Sequence, residues 1–161
     1  MSGPGELNDD CTTEATAIAR VAQTRGLTIA CAESLTSGAI ASHLGAAEAA
    51  SQWFRGGVVA YSTQVKFDVL GVDRGPVVTA RCAEQMAAGV AELTSADIAL
   101  AVTGEGGPEP SEDATVGTVF IAVHHHDRHD VRRFQFGGDP SAIVHQTTLQ
   151  GLRMLRSAVE E

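Results

Sequence analysis

The sequence predicts an α/β domain in which helices flank a mostly buried, mixed sheet, and three observations carry that prediction. Strand and helix patterns alternate along the chain with no long linker, repeat or low-complexity block. The runs Ile-Ala-Leu-Ala-Val at 98–102 and Thr-Val-Phe-Ile-Ala-Val at 118–123 are apolar without a break, which suits strands covered on both faces. Val131 to Phe136 alternates instead and follows closely on the strand before it, so the two form an antiparallel hairpin and the sheet is mixed.

The elements follow in order. Residues 1–8 are polar and expected to be disordered, leaving residues 9–161 as a single domain. A helix from about Thr12 to Arg25 ends at Gly26, in the manner of a C-terminal glycine cap. Thr28 to Ala32 is a short buried strand, broken by Glu33-Ser34-Leu35-Thr36-Ser37-Gly38 before an alanine-rich helix begins near Ala39. A strand at about Gly57 to Tyr61 leads into a helix that the Ser62 hydroxyl caps, and Thr79 caps the helix from Ala80 to Leu93. Strands at Asp97 to Val102, Gly117 to Val123 and Val131 to Phe136 precede a terminal helix from about Pro140 to Val159. Asp139-Pro140 opens that helix with an aspartate cap and a proline at the first helical position.

Composition narrows the function classes. The 161 residues are 43% hydrophobic and 19% charged, enough for one domain with its own core. A formal net charge of -9 argues against a nucleic-acid surface, which needs basic groups to displace counterions. No apolar run approaches the roughly 20 residues of a membrane span, and Met1 to Asp10 lacks the pattern of a secretory signal, so a cytoplasmic protein with no membrane partner is expected. Cys11, Cys31 and Cys82 are odd in number and lack C-x-x-C spacing, so Cys31 and Cys82 read as buried inert thiols, and Cys11 lies near the frayed terminus. A homo-oligomer is expected from the commonness of symmetric assemblies.

Three loops carry candidate chemistry. Ser34 falls at a strand-to-helix junction, where free backbone N–H groups and the positive helix end suit an anion or a developing oxyanion. Lys66 is the only lysine in the chain and sits among Val65, Phe67, Val69 and Leu70, five residues after Tyr61. A lysine brought to a lower pKa by burial can serve as the base that a serine nucleophile requires, with Tyr61 relaying a proton or holding the amine. Taken singly, Ser34 also fits a helix-start hydroxyl, Lys66 a snorkelling lysine and Tyr61 a strand-end aromatic. Together with the glycine-rich turn Thr103-Gly104-Glu105-Gly106-Gly107-Pro108, they mark three loops at strand C-terminal ends, where open α/β sheets form their ligand crevice.

The segments AESLTSG, GGVVAYSTQVK, DIALAVTGEGGP, GTVFIAV and FGGD, in unbroken order from about Leu27 to Leu155, resemble the C-terminal domain of the CinA family, the competence-damage-inducible proteins. The resemblance implies a three-layer α/β/α fold with a mixed, mostly parallel sheet. It also implies hydrolysis of the amide of nicotinamide mononucleotide (NMN), a small-molecule substrate, to nicotinate mononucleotide and ammonia, without cofactor or metal; the alternatives are a ligand-binding or accessory protein that kept the fold and lost efficient turnover, and a hydrolase of another small amide. On it, Ser34 is the nucleophile and Tyr61 and Lys66 are its catalytic partners. Ser51 is a further active-site serine, Thr103 and Gly104 contact substrate, and the N–H groups of Thr36, Ser37 and Gly38 hold the oxyanion.

The chain departs from the family pattern at Leu35 and Ser37 of the serine turn. It departs again at Pro140 and Val144, where relatives carry arginines suited to a nucleotide phosphate. Glu109, Glu112 and Asp113 replace a segment that is glycine-rich in many relatives, and Arg55, Arg132 and Arg133 stand as alternative phosphate partners. His124-His125-His126-Asp127-Arg128-His129 fits a hairpin loop better than a metal site, because neighbours on an extended chain point to opposite faces. The long family proteins carry a further N-terminal domain, and a free-standing protein is the expectation for this chain.

Overall fold

A computed structural model describes residues 3–112 and 114–161. Helix α1 (Pro4–Arg25) opens the chain, with Pro4 in its first turn, the Glu6 carboxylate accepting from the Gly3 N–H at 3.1 Å, and Gly26 closing it at φ 65°. Residues 3–8, expected to be disordered, are therefore the cap and first turn of this helix, and the expectation for residues 1 and 2 lies outside the described residues. Leu7 packs against the core, and Cys11 is buried and not part of a frayed end.

Strand β1 (Ile29–Glu33), helix α2 (Ala39–Gly45), a four-residue helix α3 (Ala50–Trp53) and strand β2 (Phe54–Val59) follow. Helix α4 (Thr63–Leu70) starts where expected, with Ser62 Oγ accepting from the Val65 N–H. In helix α5 (Ala80–Thr94) Thr79 Oγ1 does the same for Cys82. Strands β3 (Ile98–Gly104), β4 (Thr118–His125) and β5 (Arg128–Gln135) and helix α6 (Pro140–Glu160) complete the chain, and Asp139 caps α6 by accepting from the Ala142 N–H at 2.8 Å.

The sheet order is β2-β1-β3-β4-β5. The β1–β2 and β1–β3 pairings are parallel, and the β3–β4 and β4–β5 pairings antiparallel, so β4 alone runs against the other four strands. The C-terminal ends of β1, β2 and β3 thus gather at one end of the sheet, and the His126-Asp127 hairpin tip lies at the other. His124 and His129 face each other across that hairpin, their Nδ1 atoms 3.3 Å apart.

Alternation along β3 sorts the two helical layers by side-chain size. Ile98, Leu100 and Val102 meet α1 and α6 on one face, whereas Ala99 and Ala101 meet α5 on the other, together with Ala30, Ala32 and Ala122. Bare Cβ atoms let α5 lie close to the sheet. Helices α4 and α5 also meet closely, since a Cβ on Gly89 of α5 would collide with the Leu70 carbonyl at the end of α4.

Candidate active site

The serine turn is organised by a buried carboxylate. Glu33, at the end of β1 and 1% exposed, accepts from Thr36 Oγ1 at 2.6 Å and from the N–H groups of Gly38, Ile40 and Ala41 at 3.2, 3.0 and 2.9 Å. An acid at the amino end of α2 satisfies donors that the helix cannot pair internally and complements its dipole. The backbone reverses through Ser37 at φ 53° and Gly38 at φ 105°, so Ser37 occupies a left-handed conformation that glycine adopts more readily. Ser34 is thereby fixed just before the reversal, buried, with its hydroxyl in the cleft.

Lys66 reaches it from α4. Its Nζ lies 2.9 Å from Ser34 Oγ, 2.8 Å from the Ala60 carbonyl and 3.2 Å from the Tyr61 carbonyl, with the residue 2% exposed. An ammonium has three donors, and all three are met. A neutral amine keeps two N–H donors and a lone pair. Because carbonyls can only accept, the two hydrogens stay on Ala60 and Tyr61 and the lone pair faces the Ser34 hydroxyl, the one neighbour able to donate. Burial draws the Lys66 pKa below its ordinary value. An ionised Cys82 would oppose this, but burial raises that thiol to about 11, so at neutral pH Glu112 is the charge that holds the lysine's proton on.

Glu112 accepts from the Val77 and Val78 N–H groups at 2.8 and 3.0 Å. Glu112→Gln keeps an acceptor there and removes the charge, so the Lys66 pKa falls further. A reaction needing neutral Lys66 loses activity as pH drops through that pKa. The acid limb of kcat/KM is therefore expected to move to lower pH in Glu112→Gln, and a pH–rate profile of the two proteins checks it.

The cleft encloses about 310 Å³ at the C-terminal ends of the parallel strands. Ser34 and Leu35 line it from the first loop, Tyr61, Thr63 and Lys66 from the second, Thr103 to Gly107 with Glu109 and Ser111 from the third, and Pro140 and Val144 from α6. Thr103 and Gly104 therefore stand where a substrate can be touched, although the Thr103 hydroxyl already donates to the Val77 carbonyl at 2.8 Å.

Other expected residues sit differently. The Tyr61 residue is 68% exposed at the cleft lip, and its backbone carbonyl, not its hydroxyl, is what meets the lysine. Ser51 is exposed on α3 and outside the cleft lining. The Gly38 N–H is spent on Glu33 and the Ser37 N–H on the Ser34 carbonyl at 3.1 Å, whereas the Thr36 N–H has no acceptor among the described residues, although its hydroxyl donates to Glu33. Gly106 and Gly107, also in the cleft lining, carry backbone N–H groups with no acceptor among the described residues.

Two glutamates in structural roles escaped the sequence reading. Besides Glu33, Glu105 is 3% exposed, and its carboxylate accepts from Ser111 and from the Glu112 N–H, folding the third loop over the cleft. A carboxylate inside an otherwise apolar strand ending was the available signal for Glu33; nothing local marks Glu105.

The CinA C-terminal domain family profile matches residues 12–159. A CinA-like protein of Frankia casuarinae is 40% identical over 137 residues, spanning 82% of this chain and 32% of that protein. A CinA-like protein of Geobacter metallireducens is 37% identical over 162 residues, spanning 97% of this chain and 38% of that one. The chain thus spans about a third of the length of the curated relatives it matches. The crystal structure of the competence damage-inducible protein A (ComA) from Klebsiella pneumoniae superposes with a TM-score of 0.89 at 31% identity, covering 94% of this chain and 98% of that one.

Proposed function

The chain belongs to the CinA C-terminal domain family, and on that premise we propose that it is a serine amidohydrolase releasing ammonia from a small primary carboxamide, the nicotinamide group of NMN being the reference substrate. The observation that carries this reading is the buried Lys66 amine 2.9 Å from the Ser34 hydroxyl inside the cleft.

Neutral Lys66 takes the Ser34 proton as Oγ bonds to the amide carbon. The resulting oxyanion is met by N–H groups of the Gly106-Gly107 turn. The carbon–nitrogen bond then breaks, and Lys66 returns the proton to the departing nitrogen, which leaves as ammonia. Water adds to the serine ester, Lys66 accepts a water proton, the carbon–Oγ bond breaks and the proton returns to Oγ, leaving the free acid. Atoms balance as amide plus water to acid plus ammonia.

The test is ammonia and acid release from NMN and from simple nicotinamide-type amides across about pH 6 to 9, which brackets the operating range of general-base catalysis. Release above a buffer control supports the reading. No release from any of them rejects it and leaves a ligand-binding protein on the same fold.

A further inference from the structure

The charges around the cleft restrict what can enter it. Among the described residues that line it, Lys66 is the only cation, and its donors are committed to Ser34 and two carbonyls. Glu105 and Glu109 line the same cleft, and Glu112 is anchored on Val77 and Val78 in its wall. Glu109 is exposed, with no ion pair or side-chain hydrogen bond among the described residues. The α6 side offers Pro140 and Val144, and the positive end of that helix is already met by the Asp139 carboxylate.

The arginines that could hold an anion stand elsewhere. Arg55 is exposed on β2, and Arg132 and Arg133 lie on β5 at the far edge of the sheet, Arg132 paired with Asp130 at 3.3 Å. A phosphate, close to a dianion above about pH 6, would enter the cleft beside carboxylates and meet no free cation among the described residues that line it. A cationic ring carrying a carboxamide meets the opposite field.

We propose that the cleft selects a carboxamide on a cationic or uncharged ring that bears no phosphate, with Glu109 as a specificity-determining residue at the mouth. This rests on the amidohydrolase reading for its chemistry, but not for its binding test. Nicotinamide riboside and NMN share the pyridinium and the carboxamide and differ by the phosphate, so they isolate the charge effect.

Titrating each into the Ser34→Ala protein by calorimetry reads binding without turnover. The riboside is expected to bind about tenfold or more tightly than NMN at low salt, with the gap narrowing as salt is raised. Glu109→Arg in the same background is expected to close or reverse the gap, and a salt-independent gap or an unchanged ratio would count against charge as its cause. Equal or tighter binding of NMN, or binding of neither, overturns the proposal. Riboside binding to Ser34→Ala with no ammonia released by the intact protein would sink the amidohydrolase reading alone.

Discussion

Ser34→Ala is expected to lower ammonia release by about 10⁴-fold or more, because it removes the hydroxyl that forms the acyl bond in the proposed reaction. Lys66→Met, which keeps the length of the side chain and discards its base, is expected to cost about 10³-fold. The two losses should not multiply. On the proposed proton route the amine acts through the hydroxyl 2.9 Å away, so the double variant should be about as slow as Ser34→Ala. Steady-state rates on the best carboxamide, with circular dichroism to confirm folding, decide this. Multiplying losses would mean that the two groups work independently and that the proton route is wrong.

Glu33→Ala is expected to be the most destabilising single change near the cleft, at about 4 kcal/mol or more. Four donors converge on that carboxylate: the Thr36 hydroxyl and the N–H groups of Gly38, Ile40 and Ala41. Stranding buried donors costs about 1–3 kcal/mol each, and a residue 1% exposed leaves little room for water to replace the lost oxygens. Glu33→Gln, which keeps one acceptor and adds an unwanted donor, should fall between the wild type and Glu33→Ala. Denaturant unfolding gives both numbers. A loss near zero for Glu33→Ala would show that the serine turn holds its shape by other means.

What the sequence disclosed follows from how local each signal is. The strand cores at 98–102 and 118–123 announce themselves through unbroken apolar runs, and both are buried in the sheet apart from the half-buried Phe120. Ser62, Thr79 and Asp139 cap their helices as their positions suggest, because a cap needs only the three residues beyond it. Helix α3 is too short to show a period. The start of α1 escaped notice because Leu7 is its one large apolar residue before the buried Cys11, and only packing reveals the role of either.

At the site, the Ser34–Lys66 pairing was legible because a sole lysine in an apolar setting is unusual, and burial is indeed what lowers its pKa. The roles of Tyr61 and of the turn N–H groups were not. Which atom of Tyr61 faces the amine, and whether an amide proton is already engaged by Glu33 or the Ser34 carbonyl, depend on contacts that sequence spacing does not encode. The arrival of Pro140 and Val144 in the same cleft as Ser34 likewise depends on how α6 docks on the sheet.

The single reversed strand gives the molecule two poles with separate tolerances. Everything proposed to act on substrate gathers at one pole, on turns and on the start of α4, whereas the histidine-rich tip joining β4 and β5 belongs to the other, with the length of the sheet between them. Evolution or an engineer can therefore lengthen, label or tether the chain at that tip while the reaction centre keeps its geometry.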